Sequence, residues 1–551
     1  MKNRYNTQTV QLILEWMACG LLLLVITIIA GGCNWDTHDD PVMALLLFRY
    51  GSQSTPFSNH LYLSLFDILY NIWPRYNWWL LVSILEIILA WSVYFYIIER
   101  SIESRIEKYS LLILFTLATY YFTLQLINFT RTSCYISNAG IILFLFCINT
   151  SSERFKKAKM ILGLMLYIIG TCIRLESALL IIPISCSVIL FWSSVSLKRR
   201  IFQMIGICFI ALSICGCCKV IDNASMTEEM LAWENSLSDK RKLNDYDFTL
   251  KDNADTAAIE AAGILISDLT FMGKNSGCKQ VLDDNAMHIL ADNVRISITA
   301  ETLYNEICLA MKFSSMIWFF MAGLIFIRGG LERPVLIIYL LMIIALEVFF
   351  MLLGRNPSRV FESILFTGTI NAVLGCCQFS SPYARLPYKR NISRKLMLGF
   401  NVLLTVLLIA RGNAKNFFDT DRCKYVHSLK EVDLDMIHND PDHIYIMPAE
   451  AFVALSIPEN IFINYDASYC DNMLYQDGFF CTLPCFNDML KKYNVSNTVE
   501  LMYRGGSDIY SAYSEDYISI LESHGIILNV TDQTTIGKIK IVQYSQAEPS
   551  I

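Results

Sequence analysis

A nearly unbroken apolar run, Gln11 to Gly32, is followed closely by two adjacent carboxylates, Asp39 and Asp40. A run of about 20 apolar residues spans the hydrocarbon of a bilayer. In that medium every backbone polar group must be satisfied within the segment, so the run has to be a helix. It is too long for the apolar core of a signal peptide, and no small-residue cleavage site follows it, so it reads as a retained first span. The acidic pair then stands at the membrane surface, where a lipid-borne substrate presents its head group.

The rest of the chain repeats this pattern. Of its 551 residues 54% are hydrophobic and only 17% are charged. Soluble domains carry about 25% charged residues. The reading is a mainly α, polytopic transmembrane bundle with about eleven spans: 11–31, 77–98, 109–128, 136–150, 158–173, 177–195, 201–220, 311–328, 334–353, 360–377 and 396–411. The span at 136–150 is short and flanked by polar residues. A net charge of -6 offers no basic footprint for nucleic acid, and no nucleic-acid-binding motif is visible.

Lys and Arg set the orientation, because they are retained on the cytoplasmic side. With the N-terminus inside, the inner segments hold roughly three times as many of them as the short outer segments. This orientation puts two longer segments outside: the loop 221–310 and the tail. The expected division is therefore a transmembrane domain at 1–411, with outer loops 32–76 and 221–310, and an extracytoplasmic α/β domain at 412–551.

In the tail, alternating or apolar runs predict strands at 443–447, 460–465, 526–530 and 539–543. A short helix is expected over 448–455, and helical spacing covers 510–524. The tail is expected to help bind an acceptor rather than to carry chemistry. An oxidising compartment there permits one disulfide, Cys470 to Cys481 or Cys485.

Several charges demand a role. Asp39 or Asp40 can deprotonate an acceptor hydroxyl as a general base, or hold a divalent cation, Mg or Mn, against a phosphate. No cofactor is fixed by the sequence and no metal ligands are assigned. Asp before Pro41 and the apolar run 42–48 is also a helix N-terminal signal, so one carboxylate can serve as a cap. The stretch 56–79, with apolar residues at three and four spacings and Trp73, Trp78 and Trp79 at its end, suits a helix lying in the interfacial plane. His60 within it is a structural or substrate-contacting residue. Arg131, Arg174 with Glu176, Arg355 and Arg359 all fall at outer ends of spans. Each can snorkel to the interface. Together, on the side of Asp39 and Asp40, guanidinium groups make a phosphate site.

The acidic pair in the first outer loop, the interfacial helix after it, the many spans and the outer α/β tail together resemble the GT-C class of membrane glycosyltransferases. The segments that carry the resemblance are Asp39-Asp40-Pro41-Val42-Met43, the run 69–79, Phe129-Thr130-Arg131-Thr132, Gly170-Thr171-Cys172-Ile173-Arg174-Leu175-Glu176, and Gly354-Arg355-Asn356-Pro357-Ser358-Arg359-Val360. The chain is also similar to uncharacterised polytopic proteins of bacterial surface-polysaccharide systems. The resemblance covers roughly residues 10–410. It implies an inverting transfer of sugar from a polyprenyl-phosphate donor to a glycan or lipid-linked acceptor, on the non-cytoplasmic side of a bacterial plasma membrane. It implies Asp39 or Asp40 as base, and Arg174, Arg355 and Arg359 on the lipid phosphate. The tryptophan-aspartate signature of oligosaccharyltransferases is missing. A surface-polysaccharide polymerase or ligase, a transporter, and a membrane scaffold are the other classes compatible with this layout.

Overall fold

A computed structural model of the chain describes residues within 2–29, 39–297, 332–352, 358–378 and 432–546, plus a few isolated positions between 303 and 406. Short gaps interrupt these stretches, and the longest omits 262–283. The helices, in order, are α1 (Lys2–Ile29), α2 (Asp39–Tyr50), α3 (His60–Ile72), α4 (Trp78–Ser101), α5 (Arg105–Thr119), α6 (Phe129–Asn149), α7 (Lys156–Ile173), α8 (Leu175–Ser187), α9 (Leu197–Ser225), α10 (Glu228–Asp245), α11 (Thr256–Ala261), α12 (Asp284–Asn293), α13 (Glu332–Leu352) and α14 (Ser358–Gln378). Among the described residues four helical stretches, Trp78–Ser101, Phe129–Asn149, Leu197–Ser225 and Pro334–Leu352, are long and apolar enough to cross a membrane. Gln11–Thr27 and Leu175–Phe191 are shorter apolar helical stretches. The expected spans at 311–328 and 396–411 lie outside the described residues, apart from isolated positions in the second.

The segment that looked least like a span is the centre of the bundle. It begins at Phe129 rather than at residue 136, and α6 is buried along almost its whole length. Its polar residues misled the reading because they face inward. Asn138 donates to the Tyr94 hydroxyl of α4 at 2.6 Å and to Asn371 Oδ1 of α14 at 2.9 Å. It accepts from Ser185 of α8 at 2.7 Å and from Asn371 at 2.8 Å. Four helices are thus tied at one buried, mutually satisfied amide pair. In an apolar surround such a network holds a single arrangement.

A glycine seam joins α6 to α7. A methyl group on Gly140 would meet the Gly163 carbonyl oxygen at 2.5 Å, and one on Gly163 would meet the Gly140 carbonyl oxygen at 2.8 Å. The obstacles are backbone atoms and cannot swing aside. Small residues that let helix backbones touch are a recurrent device of membrane helices. Gly140→Ala should therefore cost about 1–3 kcal/mol, as overpacking does, read as a lower midpoint in thermal unfolding of the purified protein. The seam matters for function because α6 begins, and α7 ends, at the same end of the bundle.

The helix that opens on the acidic pair, α2, has two buried faces. Met43, Ala44 and Leu47 pack into the bundle core. Val42, Leu45 and Leu46 pack into a second core, shared with Met230, Trp233 and Leu237 of α10 and with the C-terminal sheet. The helix expected within 56–79 is α3, over the shorter range His60–Ile72. Asn59 caps it, accepting from the N–H groups of Leu61 and Tyr62. Leu63, Phe66 and Tyr70 are buried, while Leu61, Leu65, Ile68, Ile72 and Trp73 form an exposed apolar stripe.

The loop after α9 adds a two-stranded antiparallel piece, β1 (Phe248–Leu250) with β2 (Val294–Ile296). The tail is α/β, as expected; strands form at three of the four expected places, and two further strands join them. Its sheet holds β3 (Ile444–Met447), β4 (Met473–Tyr475), β5 (Ile509–Ala512), β6 (Leu528–Ile536) and β7 (Ile539–Gln546), in the order β4-β3-β5-β7-β6. β3 runs parallel to β4 and β5, and β7 is antiparallel to β5 and β6. Of the strand expected at 460–465, residues 462–465 are described and belong to no strand of the sheet. They cross to the bundle instead: Ile463 bridges Tyr76, the Asn464 N–H donates to the Arg75 carbonyl at 2.9 Å, and the Phe462 carbonyl accepts from Asn77 at 3.0 Å. The helix expected over 510–524 is confined to Glu515–Ser523, because Tyr510–Ala512 belong to β5. The cysteine bridge is absent as well. Cys470, Cys481 and Cys485 form no disulfide, and the Cys470 thiol contacts the Leu434 carbonyl oxygen at 3.3 Å.

Candidate active site

The N-terminal end of α6 gathers most of the charges singled out from the sequence. Asp40 is fully buried. Its carboxylate accepts from Asn128 Nδ2 at 2.9 Å and from the Phe129 backbone N–H at 2.8 Å. Asp40 thus caps α6, a helix other than its own, where a negative charge is favoured by the helix dipole. Asp39 points elsewhere. Its side chain is 24% exposed and meets Arg359 Nη1 at 2.8 Å. Neighbouring residues at a helix start face different directions, so one carboxylate serves the fold while the other stays accessible.

Arg359 stands in the first turn of α14. One helical turn on, Glu362 pairs with Arg131 of α6 at 2.5 Å, and both side chains are at least nine-tenths buried. Arg131 also donates to the Leu126 carbonyl at 3.2 Å. Removing one partner of a buried ion pair costs about 3–5 kcal/mol. Arg131→Ala should therefore lower the yield of folded protein steeply, and Arg131→Met combined with Glu362→Met should recover much of it, read by size-exclusion chromatography.

Arg174 occupies the one non-helical position between α7 and α8, with extended backbone. It donates to the Thr130 hydroxyl at 2.6 Å and lies 4.6 Å from the centre of the Phe129 ring. Glu176 Oε2 is 3.8 Å from its Nε. Burial pushes the Arg174 guanidinium down from its ordinary value. Glu176 and Asp39 oppose that shift, while Arg359 and Arg241 add to it. Two guanidinium groups and two carboxylates therefore act on Arg174 at this end of the bundle.

Arg241 is the residue that sequence reasoning missed. It lies on α10, within the run Asp239-Lys240-Arg241-Lys242, which reads as a solvated helix face. Its Nη1 is 3.4 Å from Glu176 Oε1, and its guanidinium sits 5.2 Å from the Phe57 ring centre. Between them, Arg174 and Arg241 hold Glu176 below the usual carboxylate range, although burial acts to raise it. His60 is engaged with α9. Its Nδ1 is 3.0 Å from Asp222 Oδ1, and Asp222 is also paired with Lys219 at 3.6 Å. Arg355 lies outside the described residues. Among those described, no group of three or more His, Cys, Asp or Glu side chains is placed to hold a metal ion.

No family model matches the chain, and no curated protein matches it. Among solved structures, the chain resembles ArnT. The crystal structure of ArnT from Cupriavidus metallidurans in the apo state matches over 97% of this chain and 98% of its own, at 13% identity and a TM-score of 0.35. The likeness to ArnT assigns no residue, and the roles below rest on the geometry of this chain.

Proposed function

We propose that this protein is an integral membrane glycosyltransferase of the GT-C type. It takes a sugar from a polyprenyl-phosphate donor and passes it to a glycan or lipid-linked acceptor at the non-cytoplasmic surface. The observation that carries the reading is the Asp39–Arg359 pair, held beside Arg174 at one end of an apolar bundle. An accessible carboxylate paired with a guanidinium group suits a reaction in which a hydroxyl loses a proton and a phosphate leaves.

In that reaction Asp39 removes the proton from the acceptor hydroxyl as its oxygen attacks the anomeric carbon. The bond from that carbon to the phosphate oxygen breaks, and the electron pair leaves on the polyprenyl phosphate. Attack from the opposite face inverts the anomeric centre in one displacement. Arg174 and Arg359 stabilise the charge that builds on the leaving phosphate. A donor phosphate competes for Arg359, so its arrival frees Asp39 to act as base. Asp40 takes no part in proton transfer, since its carboxylate is spent on Asn128 and Phe129.

The test is turnover by the purified protein in nanodiscs, with a panel of polyprenyl-phosphate sugars and lipid-linked acceptors. Arg174→Ala and Arg359→Ala should each lower kcat/KM by about 10²–10³-fold, the scale of removing one preorganised donor. Wild-type turnover unaffected by either change would set the reading aside.

A further inference from the structure

Arg241 reaches the site from an outer-loop helix that is anchored at both of its ends. Near the start of α10, Met230, Trp233 and Leu237 are embedded in the core shared with the C-terminal sheet. The Trp233 indole N–H donates to the Thr482 hydroxyl at 3.0 Å, and Glu234 is 3.1 Å from Lys219 of α9. The Gln53 side chain closes the α9–α10 junction, donating to the Ser225 carbonyl at 3.0 Å and accepting from the Thr227 N–H at 2.9 Å. Two turns beyond Trp233, about 12 Å at 1.5 Å per residue, the helix presents Arg241. Towards its C-terminal end, Asp239 meets His288 of α12 at 2.8 Å.

The guanidinium itself is set in a stack. Arg241 lies against the Phe57 ring, Phe57 stacks on Phe129 at 6.4 Å, and Arg174 lies against Phe129. Two cations therefore bracket one pair of rings, and Glu176 touches both cations at its two oxygens. Phe57 adopts a positive φ of 72°, a conformation seldom seen for a bulky residue. Like charges approach this closely when an anion lies between them. Here Glu176 fills that place, and its side chain is 55% exposed, so an incoming anion can displace it.

We propose that Arg241 is a third phosphate-binding residue, contributed by the outer-loop helix α10, and that it engages the phosphodiester of the lipid donor, and the phosphate monoester left after transfer, when that group displaces Glu176. This rests on the glycosyltransferase reading above and adds to it a substrate-binding residue and a route of control. Because α10 is rooted in the tail's core, the tail then sets how well the donor phosphate is held. Under this proposal the tail, expected to help bind an acceptor, also supports the donor site.

The test uses full-length protein in nanodiscs and measures binding of polyprenyl monophosphate by the shift in unfolding midpoint with ligand concentration. Inorganic phosphate is titrated in parallel. Arg241→Ala should weaken polyprenyl-phosphate binding about tenfold or more, on the scale of one charge-assisted donor pair, and Arg241→Lys should restore part of it. Glu176→Gln should bind as tightly as wild type or tighter, because it removes the competing carboxylate. If Arg241 served only to position Glu176, Glu176→Gln would weaken binding as much as Arg241→Ala does. That result, or equal binding by wild type and Arg241→Ala, overturns the proposal and leaves the glycosyltransferase reading standing. Wild-type protein that binds inorganic phosphate but no polyprenyl phosphate overturns the lipid donor. Wild-type protein that binds neither overturns both proposals.

Discussion

Asp39→Asn is expected to lower turnover by about 10²–10⁴-fold, the usual contribution of a general base, with the unfolding midpoint close to that of wild type. The reason is its placement. Asp39 is partly exposed, and its described partner is a single guanidinium, Arg359. The amide keeps the size and loses the proton acceptor, so binding of donor should change less than kcat. Single-turnover kinetics with a preloaded donor separate the two. An Asp39→Asn protein with wild-type kcat would remove Asp39 from the chemistry.

Asp40 should behave in the opposite way. Asp40→Ala leaves the Asn128 amide and the Phe129 N–H without their acceptor at the start of the most buried helix in the bundle. Each orphaned buried donor costs about 1–3 kcal/mol, and natural folds are stable by only about 5–15 kcal/mol. The expected result is a large fall in the unfolding midpoint, and poor recovery of folded protein from detergent extraction. Asp40→Asn should be milder, since its carbonyl oxygen can still accept from Phe129. Any loss of activity should track the loss of folded protein. Asp40→Asn that unfolds like wild type yet has no turnover would transfer the role of base to Asp40.

These contrasting expectations separate what was legible from what was not. The motif Asp39-Asp40-Pro41 announced a helix start, which is that of α2, together with an acid–base candidate. Which carboxylate did which was not readable. Capping is recognised in sequence by proximity along the chain, yet Asp40 caps a helix that begins 89 residues later. The arginines were found because each ends an apolar run. Arg241 was hidden because it sits among charges on an amphipathic helix, where a solvated face is the ordinary explanation. The polar start of α6 was discounted as a span for a related reason. Hydropathy cannot tell a side chain facing lipid from one facing an internal amide network.

In the tail, β4 escaped notice because a short, fully buried strand in a parallel pair does not alternate, and β5 because Tyr510–Ala512 were absorbed into the helical spacing of 510–524. The run 460–465 has strand composition, but Ile463 and Asn464 spend their backbone hydrogen bonds on residues 75–77 of the bundle.

The sequence by itself determined the apolar helices, the α/β character of the tail, and the end of the bundle at which the charges collect. Those features follow from local periodicity and from the cost of leaving polar groups in an apolar medium. Only the tertiary structure decided which charges meet. It paired Asp39 with Arg359 and Arg131 with Glu362, committed Asp40 to Asn128 and Phe129, and brought Arg241 to Glu176. Ion pairs and caps act over a few ångströms, and their partners here lie on helices far apart in the chain. It is the packing of α2 between two cores, and the backbone contact at Gly140 and Gly163, that set those distances.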